Sequence, residues 1–312
     1  DSLRNQIAES SSKGLFVPAV QKESAIIMAY ASTTIEGSTL TPQEVTQVSD
    51  GEKPRKSETH IQMVKNYLNV IQWIRQNENN DVITDRTVFE LHRIIGEDAV
   101  DDGPVGRYRK VQVYVGDHTP PPPGRVPHLM KQFLIWLNND SHQYHPVLCS
   151  AIAHFQIATI HPFRDGNGRV ARALASWELY RRGFDTLHIF TLDDILLENR
   201  KLYYMQLSKG RKPGGLSDWL EYISDITAEG LERAYKRLES AQAAAKKLPA
   251  LSDTQKRFLT LLAQKGPQKI KDIMLDLGIT RQGVYKVLNP LLKSQRVMPV
   301  GTRRNRRFSI TI

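Results

Sequence analysis

The chain has little cysteine and no long apolar segment. Of its 312 residues only Cys149 is a cysteine, so no disulfide can form within the chain and a reducing compartment is expected. A metal centre built from several thiolates is excluded for the same reason. No apolar run is long enough for a conventional transmembrane helix. Residues 1–14 lack the apolar core of a signal peptide, and we expect a cytoplasmic protein without membrane contact.

Acidic side chains are scarce near the C-terminus, which makes that end of the chain strongly basic. Residues 246–312 contain 15 Lys and Arg but only 3 Asp and Glu, a balance of +12. Residues 1–245 contain 28 basic and 30 acidic residues, a balance of −2. A basic segment beside a nearly neutral body favours contact with a polyanion. A solvated basic surface has the same composition, so charge alone leaves both interpretations open.

Apolar residues recur at helical spacing through most of the chain. Gly37 is expected to end the first of these helices as its C-cap. Farther along, Tyr108–Val115 alternates polar and apolar residues and predicts a short strand, which the prolines at 120–123 terminate. The predicted helices cover residues 23–36, 57–77, 85–96, 127–139, 146–160, 170–182, 198–208 and 217–240.

The stretch His161–Arg172, with the sequence HPFRDGNGRVAR, concentrates groups that carry chemistry. Pro162 discourages a helix through the residue before it, so one helix should end at the start of this stretch and a second begin near Gly168. Between the two helices, the amides of Gly166, Asn167 and Gly168 can form an anion-binding nest. The nest would lie at a helix N-terminus, where the helix dipole also favours phosphate.

Four side chains around this nest indicate a site that handles phosphates. Arg169 and Arg172 lie on one helical face and can clamp the outer phosphates of a nucleotide. Asp165 is a hard oxygen ligand placed for a Mg²⁺ ion that bridges phosphates. His161 can act as general base toward an attacking hydroxyl, although a helix C-terminus favours the protonated imidazole. The alternative, an ordinary turn between core helices, is weaker because so many chemical groups lie so close together.

The same stretch matches the motif HPFx[D/E]GNGRxxR at every defined position, so the chain resembles the Fic family, over much of residues 20–225. The resemblance implies a mainly α-helical fold and transfer of AMP from ATP to a Ser, Thr or Tyr hydroxyl of a protein, with Mg²⁺. It makes His161 the general base and Asp165 the Mg²⁺ ligand. It also assigns nucleotide binding to Asp165 and to the residues that follow it, which are Gly166, Asn167, Gly168, Arg169, Val170, Ala171 and Arg172.

Two further segments resemble nucleotide contacts of this family. Residues 106–127 are similar to the Fic flap, a β-hairpin over the active site whose edge can align a target segment by main-chain pairing. Tyr203 and Tyr204 correspond to a tyrosine pair beside the adenine. A plain surface hairpin and a pair of core tyrosines are the alternatives. The flap residues that correspond to nucleotide contacts are Val115, Gly116, Asp117 and His118.

Glu36 resembles an inhibitory residue. Residues 32–37, STTIEG, match the [S/T]xxxE[G/N] inhibitory motif of Fic proteins. A glutamate at a helix C-terminus faces the negative end of the helix dipole, which suggests a cationic partner elsewhere. The resemblance supplies Arg172 as that partner and adds Glu36 to the ATP-binding residues. An exposed glutamate at a helix end is the alternative.

The basic C-terminal region resembles a winged helix. Helices are predicted over Lys269–Leu277 and Thr280–Lys293, and a two-stranded wing over Arg296–Ile312. In such a domain the second helix enters the major groove of DNA and the wing meets phosphates. Winged helices also dock proteins, so both kinds of partner remain open. The residues assigned to DNA contact are Arg281 and Gln282 at the helix start and Arg303, Arg304, Arg306 and Arg307 at the wing tip.

The sequence therefore predicts a mainly α protein with a Fic-type helical core, a β-hairpin flap and a C-terminal winged helix. The favoured function is a protein adenylyltransferase, inhibited by Glu36, that uses ATP and Mg²⁺ on a protein target and on itself. The alternative is a DNA-binding regulator whose Fic body senses nucleotide without turnover. A base at His161 favours the enzyme, because binding alone needs no base. Fic relatives often dimerise, but the sequence holds no interface signature, and a homodimer is left open. The predicted domains are residues 1–84, 85–245 and 249–312.

Overall fold

The computed structural model describes residues 1–11, 16–79, 82–99, 103–246, 251–294, 296–301 and 305–310. Over these residues the chain consists mainly of helices, with one two-stranded antiparallel sheet. The helices are α1 Ser2–Ser11, α2 Val17–Ile35, α3 Pro42–Ser49, α4 Glu58–Gln76, α5 Asp85–Gly96, α6 Val126–Asn139, α7 Pro146–Ile160, α8 Asn167–Arg181, α9 Asp193–Glu198, α10 Arg200–Gly210, α11 Leu216–Lys246, α12 Asp253–Lys265, α13 Ile270–Leu277 and α14 Arg281–Lys293. Two 3₁₀ turns cover Pro123–Arg125 and Ser141–Gln143, and the strands are β1 Val297–Val300 and β2 Arg307–Ile310.

Every predicted helix is present, and four helices of the described part of the chain were not predicted. The four are α1, α3, α9 and α12. Two of them begin with a capping box that the sequence carries. Thr41 exchanges hydrogen bonds with Glu44 at the start of α3, and Ser252 does so with Gln255 at the start of α12. The two capping boxes precede helices of eight and thirteen residues. The apolar pattern of these helices did not by itself predict them.

The C-terminal end of α2 is fixed by the turn that follows it. Gly37 has φ +97°, a left-handed conformation that favours glycine. Its amide donates to the Thr34 carbonyl, and the Ser38 amide donates to the Thr33 carbonyl, each at 3.0 Å. This pair of bonds is a Schellman motif, which terminates a helix. The prediction that Gly37 ends this helix is confirmed, with Glu36 as the last residue before it.

The centre of the body is the pair α7 and α8, which pack more extensively against each other than any other two elements of the described chain. The sequence of α7 is apolar on all sides, so this helix is buried rather than amphipathic. Trp177 of α8 is fully buried, and Trp219 of α11 packs beside α7 with its indole N–H donating to the Ala151 carbonyl at 2.8 Å. The rigid pair fixes the loop that joins the two helices, residues 161–166.

The C-terminal region has its own small core. Helices α12, α13 and α14 are followed by β1 and β2, which pair antiparallel with Val297 opposite Ile310. Gln268, between α12 and α13, adds a bridge to Phe308 of β2. Phe258 and Leu288 lie in the apolar cluster between these elements. The predicted order of two helices and two strands is confirmed. The predicted wing residues Arg303 and Arg304 lie outside the described residues.

The C-terminal region is attached to α2 through a half-buried lysine. The Lys22 ammonium donates to Asp50 Oδ1 at 2.7 Å, to the Ser309 hydroxyl at 2.7 Å and to the Ile310 carbonyl at 2.8 Å. These three acceptors satisfy all three donors of the ammonium group. A cavity of about 680 Å³ lies beside this contact, between α2, α4 and the end of α12, and it contains no residue of the predicted active site.

The predicted strand over Tyr108–Val115 is wrong. In this segment the structure has only an isolated antiparallel bridge, in which Val115 and His118 exchange two backbone hydrogen bonds of 3.0 Å. The flap is therefore an extended segment with a tight turn at its tip. Because the prolines at 120–123 cannot donate to a ladder, the returning chain gives the segment no partner strand. None of the described helices is long and apolar enough to cross a membrane.

Candidate active site

The loop between α7 and α8 begins with a strained histidine. His161 is the C-cap of α7 with φ 52° and ψ 60°, a left-handed conformation that is uncommon for a residue with a side chain. Its amide still donates to the Ile157 carbonyl at 2.9 Å. The predicted end of the helix before Pro162 is confirmed. The left-handed turn directs the chain away from the axis of α7 at the residue proposed as the base.

The imidazole of His161 is neutral at neutral pH. Burial lowers its pKa to about 4, and the positive charges of Arg109 and Arg211 act in the same direction as burial. The Ala158 carbonyl opposes them only in part. The sequence leaves open whether the helix dipole keeps this histidine protonated. In the folded chain, burial outweighs the dipole, and the group can accept a proton.

The N-terminus of α8 presents free amides. Gly166 precedes the helix with φ 76° and ψ 2°, and the first helical bond runs from the Val170 amide to the Gly166 carbonyl at 3.0 Å. The three amides before Val170 point out of the helix end, and Gly166 has no side chain with which to cap them. Asn167 braces the loop, because its amide group both donates to and accepts from the backbone of Phe163, at 2.9 and 2.8 Å.

Glu36 occupies this helix end. A Cβ atom placed on Gly168 would overlap the Glu36 Oε1 atom, so the carboxylate lies directly against the glycine. Glu36 Oε1 also accepts a hydrogen bond from Arg172 Nη2 at 2.7 Å. Burial alone would raise the pKa of Glu36, but the Arg172 guanidinium holds it below its ordinary value. An ionised carboxylate therefore sits where the amides and the helix dipole favour an anion.

Arg172 is held by hydrogen bonds and an ion pair on three sides of its guanidinium. Its Nε donates to the Ser32 hydroxyl at 2.7 Å, its Nη2 donates to the Ser32 carbonyl at 3.0 Å, and Asp193 Oδ1 lies 3.3 Å from Nε. The Nη1 atom is buried and has no hydrogen-bond partner among the described residues. It lies 3.3 Å from the position of a Cβ on Gly168, beside the free amides. The roles of Ser32 and Asp193 were not predicted, and only Ser32 belongs to a motif that could have drawn attention to it.

Arg169 also keeps unused donors. Its Nη2 contacts Asp165 Oδ2 at 3.4 Å, while Nε and Nη1 are buried without a partner among the residues that the structure describes. Unpaired buried donors on a guanidinium carry a large energetic cost unless an anion completes them. Together, Arg169, Arg172 and the start of α8 form a site suited to an anion.

Asp165 lies at the open side of this site. Its Oδ1 accepts from the Gly166 amide at 2.5 Å, and its side chain is 43% exposed. No group of three or more His, Cys, Asp or Glu within the described part of the chain could hold a metal by protein ligands alone. A single partly exposed carboxylate suits Mg²⁺, which binds through one or two carboxylates together with substrate phosphates.

The flap tip is anchored at the end of α7. His118 Nε2 donates to the Thr159 carbonyl at 2.9 Å, which anchors the tip to the last turn of α7. Gly116 and Asp117 form the turn between Val115 and His118 and are exposed. Of the four predicted flap residues, His118 lies near enough to His161 to contribute to the low pKa of its imidazole.

Other predicted nucleotide contacts are less accessible. The Tyr203 ring is buried and its hydroxyl shares a hydrogen bond with His154 Nε2 at 2.9 Å. Val170 and Ala171 are fully buried in the core, so their side chains face away from any ligand. Tyr204 is 43% exposed, with its ring 5.0 Å from that of Tyr203. Of these four residues, Tyr204 alone has an exposed side chain, and the Arg200 guanidinium lies over its ring at 5.6 Å from the ring centre.

The helical body surrounds the N-terminus of α8 with two buried arginines and places a buried, neutral histidine at the start of the loop before it, which together make a site suited to an anion. Residues 82–179 match the family model described as Fic/DOC family. This range begins just before α5 and includes the whole loop between α7 and α8. The chain therefore carries a Fic domain.

Individual relatives agree with this result. The Protein adenylyltransferase Fic of Aedes aegypti is 31% identical over 239 residues, covering 74% of this chain and 46% of that protein. The protein of the same name from Drosophila grimshawi is 30% identical over 242 residues, covering 74% of this chain and 47% of that protein. The chain thus spans about half the length of these curated relatives. A Fic family protein from Desulfovibrio desulfuricans shares the fold with a TM-score of 0.64 at 23% identity, over 99% of this chain and 94% of that chain.

Proposed function

We propose that this chain is a protein adenylyltransferase that transfers AMP from ATP to a Ser, Thr or Tyr hydroxyl of a protein, and that Glu36 inhibits it. The observation that carries the proposal is the ionised Glu36 carboxylate on the N-terminus of α8, held by Arg172 at 2.7 Å. A site that already accommodates one anion, with further guanidinium donors unpaired nearby, suits the phosphates of ATP. The relatives named protein adenylyltransferase support the same activity.

The chemistry of the site matches this reaction. The neutral imidazole of His161 takes the proton of the target hydroxyl, whose oxygen forms a bond to the α-phosphorus. The bond between the α-phosphorus and the oxygen bridging to the β-phosphate breaks, and pyrophosphate leaves. Arg169, Arg172 and the amides of α8 stabilise the negative charge on the phosphate oxygens during the transfer.

Mg²⁺ fits the proposal through Asp165. Its partly exposed carboxylate would hold the ion together with phosphate oxygens of the nucleotide. Bound there, the ion would neutralise charge on the phosphates. We assign the flap tip, residues 115–118, to the α-phosphate side of the nucleotide and the exposed Tyr204 ring to the base. A target segment would run along the extended flap, whose backbone has no partner strand among the described residues.

The test is the fate of the label from ATP. The Glu36→Gly chain is incubated with Mg²⁺ and ATP labelled on either the α- or the γ-phosphate, and protein-bound label is measured on the chain itself and on a cell extract. We expect incorporation from the α-label only. The double variant Glu36→Gly/His161→Ala should still bind ATP but incorporate nothing, because the base is missing. Label from the γ-phosphate, or full incorporation without His161, would overturn the proposal.

For the C-terminal region we propose a winged-helix domain that binds duplex DNA. Its support is the exposed start of α14, where Arg281, Gln282 and Lys286 face solvent and Thr280 caps the helix. The first two side chains could reach base edges, while Arg306 and Arg307 on the wing meet phosphates. Gel retardation of short duplexes by the full chain should weaken steeply with salt. Arg281→Ala/Gln282→Ala should weaken it further, and an absence of retardation at low salt would favour a protein partner.

A further inference from the structure

Arg109 connects the flap to the catalytic loop. The side chain is buried, with 5% of the residue exposed, and each of its three nitrogens donates to a backbone carbonyl. Toward the catalytic loop, Nε donates to the His161 carbonyl at 2.8 Å and Nη2 to the Ile160 carbonyl at 3.4 Å. Toward the flap, Nη1 donates to the Val111 carbonyl at 3.0 Å and Nη2 to the Pro121 carbonyl at 2.5 Å.

These contacts fix the geometry on both sides of the base. The carbonyls of Ile160 and His161 belong to the end of α7, where helical partners run out and the dipole is negative. A guanidinium at this point satisfies them and stabilises the left-handed backbone of His161, a conformation that is strained for a residue other than glycine. The Arg109 amide adds a fifth bond, to the Pro162 carbonyl at 2.9 Å.

The flap contacts set where the target would lie. Val111 and Pro121 are the two ends of the segment that carries the tip, so one side chain determines how both ends sit against His161. No β-ladder among the described residues holds this segment in place. Only a planar group with donors in several directions can reach four carbonyls at once. A lysine could reach only part of this set, because its donors share one nitrogen.

We propose that Arg109 is a positioning residue for AMP transfer, which holds His161 in its reactive orientation and registers the flap against it. The inference rests on the proposed function. The inference goes beyond the proposed function because Arg109 contacts neither the nucleotide site on α8 nor the inhibitory helix. Arg109 would therefore affect turnover rather than ATP binding.

The experiment compares Arg109→Lys and Arg109→Ala in the Glu36→Gly chain, with Arg86→Ala on α5 as a control that removes an exposed arginine. Thermal unfolding first establishes that each variant is folded. We expect kcat to fall about 100-fold in both Arg109 variants, because a misplacement of about 1 Å costs this much. The KM for ATP should change little, and the control should match the parent. Methylguanidinium should restore part of the activity of Arg109→Ala, because it can enter the cavity that the substitution leaves. It should not restore the activity of Arg109→Lys, in which the lysine fills that space.

A second readout follows the imidazole directly by NMR. Burial lowers the His161 pKa most, the Ala158 carbonyl raises it, and Arg109, His118 and Arg211 lower it further. Removing Arg109 should raise the His161 pKa from about 4 toward its ordinary value, whereas Arg109→Lys keeps the charge and a low pKa. An unchanged kcat in a folded Arg109→Lys chain would overturn the proposal. It would also be overturned if the kcat of Arg109→Ala fell only in proportion to its loss of thermal stability and did not recover with methylguanidinium. If the Glu36→Gly parent incorporates no α-label, the proposed function fails, while the NMR titration still decides whether the charge of Arg109 acts on the His161 imidazole.

Discussion

Replacing Glu36 with glycine should raise AMP transfer by an amount that the structure allows us to calculate. In the proposed function, ATP would place its terminal phosphate on α8 only after the Glu36 carboxylate leaves Arg172, to which it is bonded at 2.7 Å. A hydrogen bond between charged groups contributes about 1.5–3 kcal/mol. Since about 1.4 kcal/mol corresponds to a factor of ten, the open form is about 10- to 150-fold less populated than the closed form. Glu36→Gly should therefore raise the initial rate about 10- to 150-fold.

Glu36→Gln is the matched control for this prediction. It keeps the size of the side chain and removes its charge, so its bond to Arg172 contributes only about 0.5–1.5 kcal/mol. The glutamine should therefore retain about 2- to 12-fold inhibition, and its rate should lie between those of the wild type and the glycine variant. Equal rates for the two variants would mean that charge contributes nothing to the inhibition.

The assay is the initial rate of incorporation from α-labelled ATP at saturating Mg²⁺. Because Arg172 holds the pKa of Glu36 below its ordinary value, the carboxylate stays ionised throughout the neutral range. The ratio between the glycine variant and the wild type should therefore stay constant from about pH 6 to about pH 9. A ratio below about threefold, which is less than 1 kcal/mol, would refute the inhibitory role of Glu36.

Three further outcomes follow from the same structure. Lys22→Met should destabilise the folded chain by about 3–5 kcal/mol in urea unfolding, because it leaves the buried Asp50 carboxylate unpaired, and Lys22→Met/Asp50→Asn should recover part of the loss. In the Glu36→Gly chain, kcat/KM should fall only as the pH approaches the His161 pKa of about 4, since only the neutral imidazole accepts a proton; an acid limb near pH 6.5, about the ordinary value, would contradict this. Asp165→Asn should raise the Mg²⁺ concentration needed for half-maximal transfer in a metal titration, whereas Asp225→Asn on the exposed side of α11 should not.

Much of this protein could be predicted from its sequence, because the deciding interactions are local. Helical spacing located the long helices, Gly37 marked the end of α2, and Pro162 marked the end of α7. The glycines around Asn167 indicated a helix N-terminus with free amides, which the structure contains. The pairing of Glu36 with Arg172 was implied by a family resemblance rather than by local physics, and the two side chains are in contact.

The tertiary structure alone decided what depends on groups far apart in the sequence. The strand predicted over Tyr108–Val115 did not form, since alternation shows that a segment can pair but not that a partner exists. Tyr203 is buried because His154 and Trp219 surround it, which no motif indicates. Burial of the His161 imidazole lowers its pKa, and Arg109, 52 residues earlier, bonds to its carbonyl. A residue type supplies the chemistry of a group, whereas its protonation state and orientation depend on the neighbours that folding brings to it.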